Sequence, residues 1–384
     1  MLPEFYQTLI RPYLSPTGYL TLEILVWLLQ THKTCKLERL AASYPLPILY
    51  ESRRKHLQRF LVLNALSVTI IWLPLIKQII KIKIPKNKRV IIALDRTHWK
   101  HNNLLMVSFI WNQRALPIYW QFIKGKGSSN LTEQIAVLRP VLNLLKSYEL
   151  VILGDREFRG VELAYWLKKK QVKFVLRVKD NAYVKSRSIK QQKISSLGLE
   201  PGMKRFYSQI NYTKHKGFGY FNLGAYWKRK YGGVKEKQGW YLLTNLSSIE
   251  QVIELYKLRA GIEAMFRDCK SGGYNLEGSQ AKVERLTRLV LLIAIAYTSA
   301  IFRGCQLKKQ GLQKYINRLE KSRTHSRRHS NFWLGLYGKN WIINWHACWQ
   351  LVEKLMSYCP QKLPAYQRGL KAMLLIQSFS DCSV

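Results

Sequence analysis

Acidic residues are scarce in this sequence, and their scarcity is its strongest compositional feature. The chain of 384 residues has 22 Asp and Glu against 63 Lys and Arg, which gives a formal net charge of +41. So large an excess of one sign repels itself and favours a polyanionic partner. The composition therefore predicts nucleic acid, rather than a membrane surface, as the partner.

Cysteine pairs and long apolar runs are also lacking. The six cysteines include no C-x-x-C pair and no zinc-ligand spacing, so we expect reduced thiols in a cytosolic protein. The start of the chain shows no basic segment followed by an apolar run, as a secretory signal would. The longest apolar stretch, residues 289–302, is too short to span a bilayer with ease. We expect it to form a buried core helix in a protein with no membrane partner.

Five regions differ in pattern. With 47% hydrophobic content, the chain is long enough for a sizeable core and two or three domains. Residues 1–85 alternate apolar runs with basic clusters and predict a helical N-terminal DNA-binding domain, although a basic cluster is more often a solvated helix face. Residues 86–180 and 240–303 predict the two parts of an α/β core, 181–239 a β-rich insertion, and 304–384 a basic helical C-terminal region.

The α/β core is predicted from short apolar runs separated by helical patterns. Strands are expected at residues 89–95, 104–111, 116–120, 149–153 and 172–178, and helices at 128–145 and 160–170. In this layout the first and fourth strands can lie parallel and side by side. Asp95 and Asp155, which end those two strands, would then meet at the edge where open α/β sheets place their sites.

A long helix is predicted after the strand 240–244. Ser247 and Glu250 form an S-x-x-E capping box and Gly272–Gly273 stop the pattern, so we expect a single helix of about six turns. At roughly 100° per residue, one polar stripe holds Tyr256, Arg259, Glu263 and Lys270. The neighbouring stripe, which is predicted to pack on the core, holds Leu255, Leu258, Ile262 and Phe266. A carboxylate flanked by two cations and a phenol suits a phosphate ester beside a metal ion.

Three acids carry the predicted chemistry: Asp95, Asp155 and Glu263. Clustered carboxylates repel one another, so they predict bound cations, and hard oxygen ligands suit Mg²⁺, with Mn²⁺ as a substitute. Two such ions can ionise a water or a 3′-hydroxyl and stabilise the leaving oxygen in an in-line attack on a phosphodiester. Taken singly, each acid has an ordinary reading as a turn former, cap or solvated side chain. Glu157 and Asp268 are competing ligands, although Asp268 lies about 150° around the helix from Glu263.

Together these residues resemble the bacterial insertion-sequence transposases of the DDE type, whose third acid lies in a Y-x2-R-x3-E-x6-K signature. Here that signature is complete as Tyr256, Arg259, Glu263 and Lys270. Four further segments are also similar to the family's strands: residues 94–99 (LDRTHW), 114–120 (RALPIYW), 154–158 (GDREF) and 174–179 (FVLRVK). The resemblance covers about residues 89–275.

The resemblance implies an RNase H-like core, a mixed five-stranded sheet flanked by helices, with the β-rich insertion between the second and third acids. It implies Mg²⁺-dependent cut-and-paste transposition by a homodimer that holds double-stranded transposon ends and target DNA in a synaptic complex. Tyr256, Arg259 and Lys270 would grip backbone phosphate, and Trp240, or else Trp227, would stack on a flipped base. Two alternatives remain: a catalytically inactive DNA-binding remnant, and an RNase H-fold nuclease without strand transfer.

Overall fold

The chain forms two compact units. A computed structural model describes residues 2–85, 88–125, 127–187, 190–213, 219–229, 238–318 and 329–379. One unit, the sheet unit, comprises Ile80–Phe266, and the other, the helical unit, comprises Met1–Ile79 together with Arg267–Val384.

The strands and helices are as follows. The strands are β1 (Val90–Trp99), β2 (Asn102–Trp111), β3 (Arg114–Phe122), β4 (Leu150–Gly154), β5 (Lys173–Arg177), β6 (Tyr183–Lys185), β7 (Gln192–Lys193), β8 (Lys204–Tyr212), β9 (Tyr220–Tyr226) and β10 (Trp240–Thr244). The α-helices are α1 (Glu4–Ile10), α2 (Pro16–His32), α3 (Leu37–Ala42), α4 (Tyr50–Phe60), α5 (Leu73–Lys83), α6 (Leu131–Leu144), α7 (Val161–Lys169), α8 (Ile249–Leu258), α9 (Ala260–Cys269), α10 (Val283–Lys309), α11 (Gln313–Ile316), α12 (Asn331–Ser357) and α13 (Leu363–Ser378).

One mixed sheet holds all strands of the described residues, in the order β3-β2-β1-β4-β5-β10-β9-β8-β6-β7. The pairs β1–β4 and β4–β5 are parallel, and the remaining neighbours are antiparallel. The five predicted core strands are present and occupy one half of the sheet. The prediction of a five-stranded sheet is wrong, because β10 pairs with the outer edge of β5 and carries the sheet onward through β9 and β8.

The first strand is longer than predicted. It was expected to end at Asp95, whereas β1 continues to Trp99 and pairs with β2 as far as Asn102. Asp95 therefore lies inside the strand, opposite Met106. The parallel pairing of β1 with β4, which ends at Leu94 opposite Gly154, agrees with the predicted placement of these two strands.

The predicted signature helix is divided into α8 and α9 by a turn at Arg259. The backbone N–H of Arg259 donates to the carbonyl of Tyr256, three residues back, where a continuous helix would use the fourth. A Cβ on Gly261 would lie 3.1 Å from the carbonyl oxygen of Gln113, so α9 begins in close contact with the β2–β3 turn. The division therefore falls where α9 meets the β2–β3 turn and where Arg259 forms its ion pairs.

Two other details of the predicted helix are wrong. Its N-cap is Ser248, whose hydroxyl accepts a hydrogen bond from the Gln251 N–H, and not Ser247. Its last residue is Cys269, three positions before Gly272. The strand β10 has the predicted bounds, and α6 is capped by Asn130, whose side chain accepts a hydrogen bond from the Glu133 N–H.

The helical unit is organised around α10, which packs on α2 and α12. Among the described residues, α10 is the one helix that is long and apolar enough to cross a membrane, and 83% of its 18-residue apolar window is buried inside the protein. This packing agrees with the predicted core helix.

Candidate catalytic site

Asp95 and Asp155 lie at the same level of two adjacent parallel strands. Asp155 directly follows β4, and its Oδ1 accepts a hydrogen bond of 2.8 Å from the backbone N–H of Glu157. Asp95 on β1 accepts an equally short bond on Oδ1 from the N–H of Arg96. Each carboxylate is thus oriented by a backbone amide of its own segment.

Glu263 joins Asp95 through Arg259. The Nη1 of Arg259 donates to Asp95 Oδ2 at 3.1 Å, and its Nη2 donates to Glu263 Oε1. The side chains of Arg259 and Asp95 are 14% and 13% exposed, whereas that of Glu263 is 54% exposed. The guanidinium therefore bridges the first and third predicted acids at the border between the core and solvent.

The electrostatics of Asp95 show that the three acids interact. Burial raises the pKa of Asp95 to about 7, and the Arg259 guanidinium opposes that rise. The negative charges of Asp155 and Glu263 raise the pKa of Asp95 further, because both lie near enough to repel its ionised form. The region around Asp95 therefore favours an additional positive charge.

The donor set suits a divalent metal ion. All three side chains are carboxylates, the ligands that Mg²⁺ and Mn²⁺ prefer, and a bound cation would relieve the repulsion at Asp95. Within the part of the chain that the structure describes, no group of three or more His, Cys, Asp and Glu side chains is already arranged to hold a metal ion. Two of the three carboxylates instead bind Arg259.

Tyr256 and Trp240 belong to the packed base of this site. Tyr256 is 4% exposed and lies in a core cluster with Leu242 and Val252. The Trp240 ring meets the Tyr256 ring edge-on at a centroid distance of 5.0 Å. The Arg259 guanidinium lies 5.8 Å from the Tyr256 ring centroid. The structure thus places two residues that were predicted to contact DNA against the hydrophobic core.

Lys270 belongs to the helical unit and directly follows the last residue of α9. Its ammonium forms an ion pair of 2.7 Å with Glu277 Oε1. The sequence predicted that Lys270 would continue the polar stripe of Glu263 on one helix. The stripe ends earlier, because the helix stops at Cys269.

A cavity of about 190 Å³ is lined in part by Trp227, Tyr241 and Asp180. Arg156, the residue after Asp155, also lines it and donates from Nη2 to Gln238 Oε1 at 2.6 Å. An aromatic wall with carboxylate, amide and guanidinium groups can both stack on and hydrogen-bond to a flat polar ring.

Arg96 and Glu157 form a contact that the sequence interpretation missed. Glu157 was treated as a competing metal ligand, yet both of its carboxylate oxygens accept hydrogen bonds from Arg96 Nε. A usable signal was present in the sequence: Arg96 follows Asp95 and Glu157 lies two residues after Asp155, on strands predicted to be neighbours.

Comparison with known proteins identifies the family. The model of the transposase DDE domain family matches residues 86–299, which is more than half of the chain. The chain belongs to this family. The match confirms the resemblance to DDE transposases. In structure, the transposase is similar to the piggyBac transposase synaptic complex with hairpin DNA, which was determined by cryo-EM. That similarity has a TM-score of 0.43 and 16% sequence identity, covering 88% of this chain and 76% of that chain. No curated protein matches the sequence.

Proposed function

We propose that this transposase binds the terminal inverted repeats of a bacterial insertion sequence and moves it by cut-and-paste transposition, with Asp95, Asp155 and Glu263 as its catalytic acids. One observation carries the proposal: adjacent parallel strands bring Asp95 and Asp155 to one level, and Arg259 links Asp95 to Glu263. The mixed sheet order β3-β2-β1-β4-β5 supports an RNase H-like core for this chemistry.

Asp95, Asp155 and Glu263 would hold Mg²⁺ or Mn²⁺. A bound metal ion would supply Lewis acidity for activating a water or 3′-hydroxyl and for stabilising the leaving oxygen of the phosphodiester. The backbone amides of Arg96 and Glu157 keep the two aspartates oriented for this role.

Arg259 would act as a counter-ion that also binds DNA. A guanidinium binds carboxylate and phosphate with the same planar fork of donors, so Arg259 can exchange its carboxylate partners for a backbone phosphate. Tyr256 supports the guanidinium from the core side. In this proposal Tyr256, Arg259 and Lys270 are each DNA contacts, and Arg259 is the one that is bonded to two of the acids.

Trp227 fits the base-stacking role better than Trp240 does. Trp227 lines the cavity next to Arg156, whereas Trp240 packs between Tyr226 and Tyr256. Stacking of an unpaired base on an aromatic ring contributes about 1–3 kcal/mol. We therefore assign the flipped base to the Trp227 cavity and a supporting role to Trp240.

The remaining parts of the chain would bind and synapse double-stranded DNA. The net charge of +41 supports extensive phosphate contacts. We propose that residues 1–85 form a DNA-binding domain, that 181–239 form the β-rich insertion, and that 304–384 form a basic helical region. In this proposal a cytoplasmic, nucleoid-associated homodimer holds both transposon ends.

The test uses a DNA fragment that carries the gene with its natural flanks, together with a target plasmid and Mg²⁺. Nicks at the element ends and joined products in the plasmid are expected. Asp155→Ala should abolish both while leaving DNA binding largely intact, and full cleavage by this variant would refute the proposal. Salt-sensitive binding without any cleavage would instead indicate an inactive remnant. Cleavage without joined products would indicate a nuclease.

A further inference from the structure

We propose that Arg96 and Glu157 are positioning residues that fix the separation of the Asp95 and Asp155 carboxylates. The inference rests on the proposed function, in which those carboxylates hold the metal ion. Neither residue needs to touch the metal or the DNA for this role. Their ion pair joins the segment that follows Asp95 to the turn that follows Asp155.

The contact between the two segments is a short, charge-assisted hydrogen bond that is bifurcated between the two oxygens of Glu157. Arg96 Nε lies 2.9 Å from Glu157 Oε1 and 2.7 Å from Glu157 Oε2. The backbone N–H of Arg96 donates to Asp95, and the N–H of Glu157 donates to Asp155. Each member of the ion pair thus contacts one aspartate through its backbone and the other member through its side chain. A shift of either side chain is transmitted to the aspartate beside it.

The same pair is tied to the loop before α6. Ser129 donates from its N–H and its hydroxyl to Glu157 Oε1, at 2.9 and 2.7 Å. Arg96 Nη1 donates to Asn103 Oδ1, and Asn103 in turn donates to the carbonyls of Gly125 and Gly127. Such a network leaves Glu157 little freedom to rotate toward a metal ion. Its oxygens are engaged as acceptors in holding the backbone, which is the role of a supporting residue rather than a ligand.

The burial of the pair adds to this interpretation. The side chains of Arg96 and Glu157 are 16% and 12% exposed, so the pair is partly removed from water. A buried ion pair does not stabilise a protein more than apolar side chains of similar volume would. We therefore ascribe the presence of this pair to a positioning role. Mg²⁺ requires near-ideal octahedral geometry, so its binding is sensitive to small displacements of the carboxylates.

The experiment measures Mn²⁺ affinity of the full chain without DNA, by titration calorimetry, alongside thermal unfolding. Glu157→Gln and Arg96→Met should each weaken Mn²⁺ binding about 10-fold or more. The two residues act through one contact, so their effects should not add. The Mn²⁺ affinity of the double variant should lie within about 3-fold of that of the single variant with the lower affinity. Ser129→Ala, which removes one hydrogen bond to Glu157, should weaken Mn²⁺ binding about 3-fold. This variant tests the positioning role if the charge variants fail to fold.

The matched control is the ion pair of Arg89 and Glu149, which joins the other end of the same two strands. Arg89→Met and Glu149→Gln should leave Mn²⁺ affinity within about twofold of that of the unmodified chain. Affinity of Glu157→Gln within twofold of the unmodified chain would overturn the positioning role, and so would equal losses in the control variants. A failure of the proposed function looks different: Asp155→Ala would then bind Mn²⁺ as well as the unmodified chain.

Discussion

The two ends of the β1–β4 strand pair use charge in opposite ways. At the end where β1 begins, Arg89 and Glu149 form a 2.8 Å ion pair with side chains 36% and 47% exposed. At the other end lie Asp95 and Asp155, with the partly buried cations Arg96 and Arg259 beside them. Both ends belong to the same parallel pairing, so the strands themselves do not explain the difference.

The comparison separates a surface feature from a functional one. An exposed ion pair contributes only about 0–1 kcal/mol to the free energy of unfolding, and it costs the folded protein little stability. Burying Asp95 beside two other carboxylates costs stability, since burial and the neighbouring charges raise its pKa to about 7. A fold keeps such a cluster where a site needs it, so the position of the buried charge indicates the functional end of the sheet. The variants below test that difference.

The largest effect is expected for Asp95→Asn, which should stabilise the protein at high pH. The pKa of Asp95 is raised on folding, so its protonated form contributes stability that is present below pH 4 and lost as the pH rises through about 7. A rise of this size in the pKa corresponds to about 4 kcal/mol as an upper value. Thermal or urea unfolding at pH 4 to 8 should show the advantage of Asp95→Asn growing with pH. An advantage that is equal at all pH values would contradict the assignment.

Trp240→Ala and Trp227→Ala should show which of these two tryptophans supports the fold and which one binds DNA at the same end of the sheet. Trp240→Ala should lower the free energy of unfolding by about 3 kcal/mol, since its ring packs on Tyr226 and Tyr256. Trp227→Ala should cost less stability but weaken binding of DNA with an unpaired end base by about 1–3 kcal/mol. Denaturation and fluorescence binding assays measure the two effects. The reverse pattern would return the stacking role to Trp240.

Gly154→Ala should disturb the carboxyl end of β4. An added Cβ would lie 2.8 Å from Leu176 Cδ2 and 2.9 Å from Phe158 Cβ, both in the core. Overpacking of this kind typically costs about 1–3 kcal/mol. Urea unfolding should show that loss, and Mn²⁺ titration should show weaker binding because Asp155 is the next residue. An unchanged free energy of unfolding would mean that the neighbouring side chains move aside without loss of stability.

The smallest effect is expected for Arg89→Ala at the opposite end. Loss of its exposed pair with Glu149 should change the free energy of unfolding by less than about 1 kcal/mol, and added salt should reduce the change further. Unfolding at low and high ionic strength measures it. A loss comparable to that of Trp240→Ala would remove the contrast between the two ends.

Much of the sheet could be predicted from the sequence because its strands are short apolar runs bounded by turns. The parallel neighbours β1 and β4 followed from an acid after each strand and a helix between them. The short connection between β2 and β3 is a tight hairpin turn, in which Asn112 and Gln113 have φ of 48° and 63°. What periodicity could not show was the partner of β5, because the pairing with β10 joins residues far apart in sequence.

The candidate site was predictable in composition but not in its contacts. Spacing placed Arg259 and Glu263 one helical turn apart, and they do form an ion pair. The turn at Arg259 and the contact of its guanidinium with Asp95 are tertiary features, which no local sequence pattern contains. The engagement of Glu157 by Arg96 is likewise a contact between strands. The sequence alone therefore left Glu157 as a possible ligand.

The most direct measurement compares Mg²⁺-dependent nicking of the flanked gene by four variants at equal DNA binding. If Asp95, Asp155 and Glu263 form one catalytic centre, each replacement of these three acids by Ala should reduce nicking below detection. Glu149→Ala, at the opposite end of the strand pair, should nick at the unmodified rate. Nicking at the unmodified rate by any of the three acid variants would contradict the account.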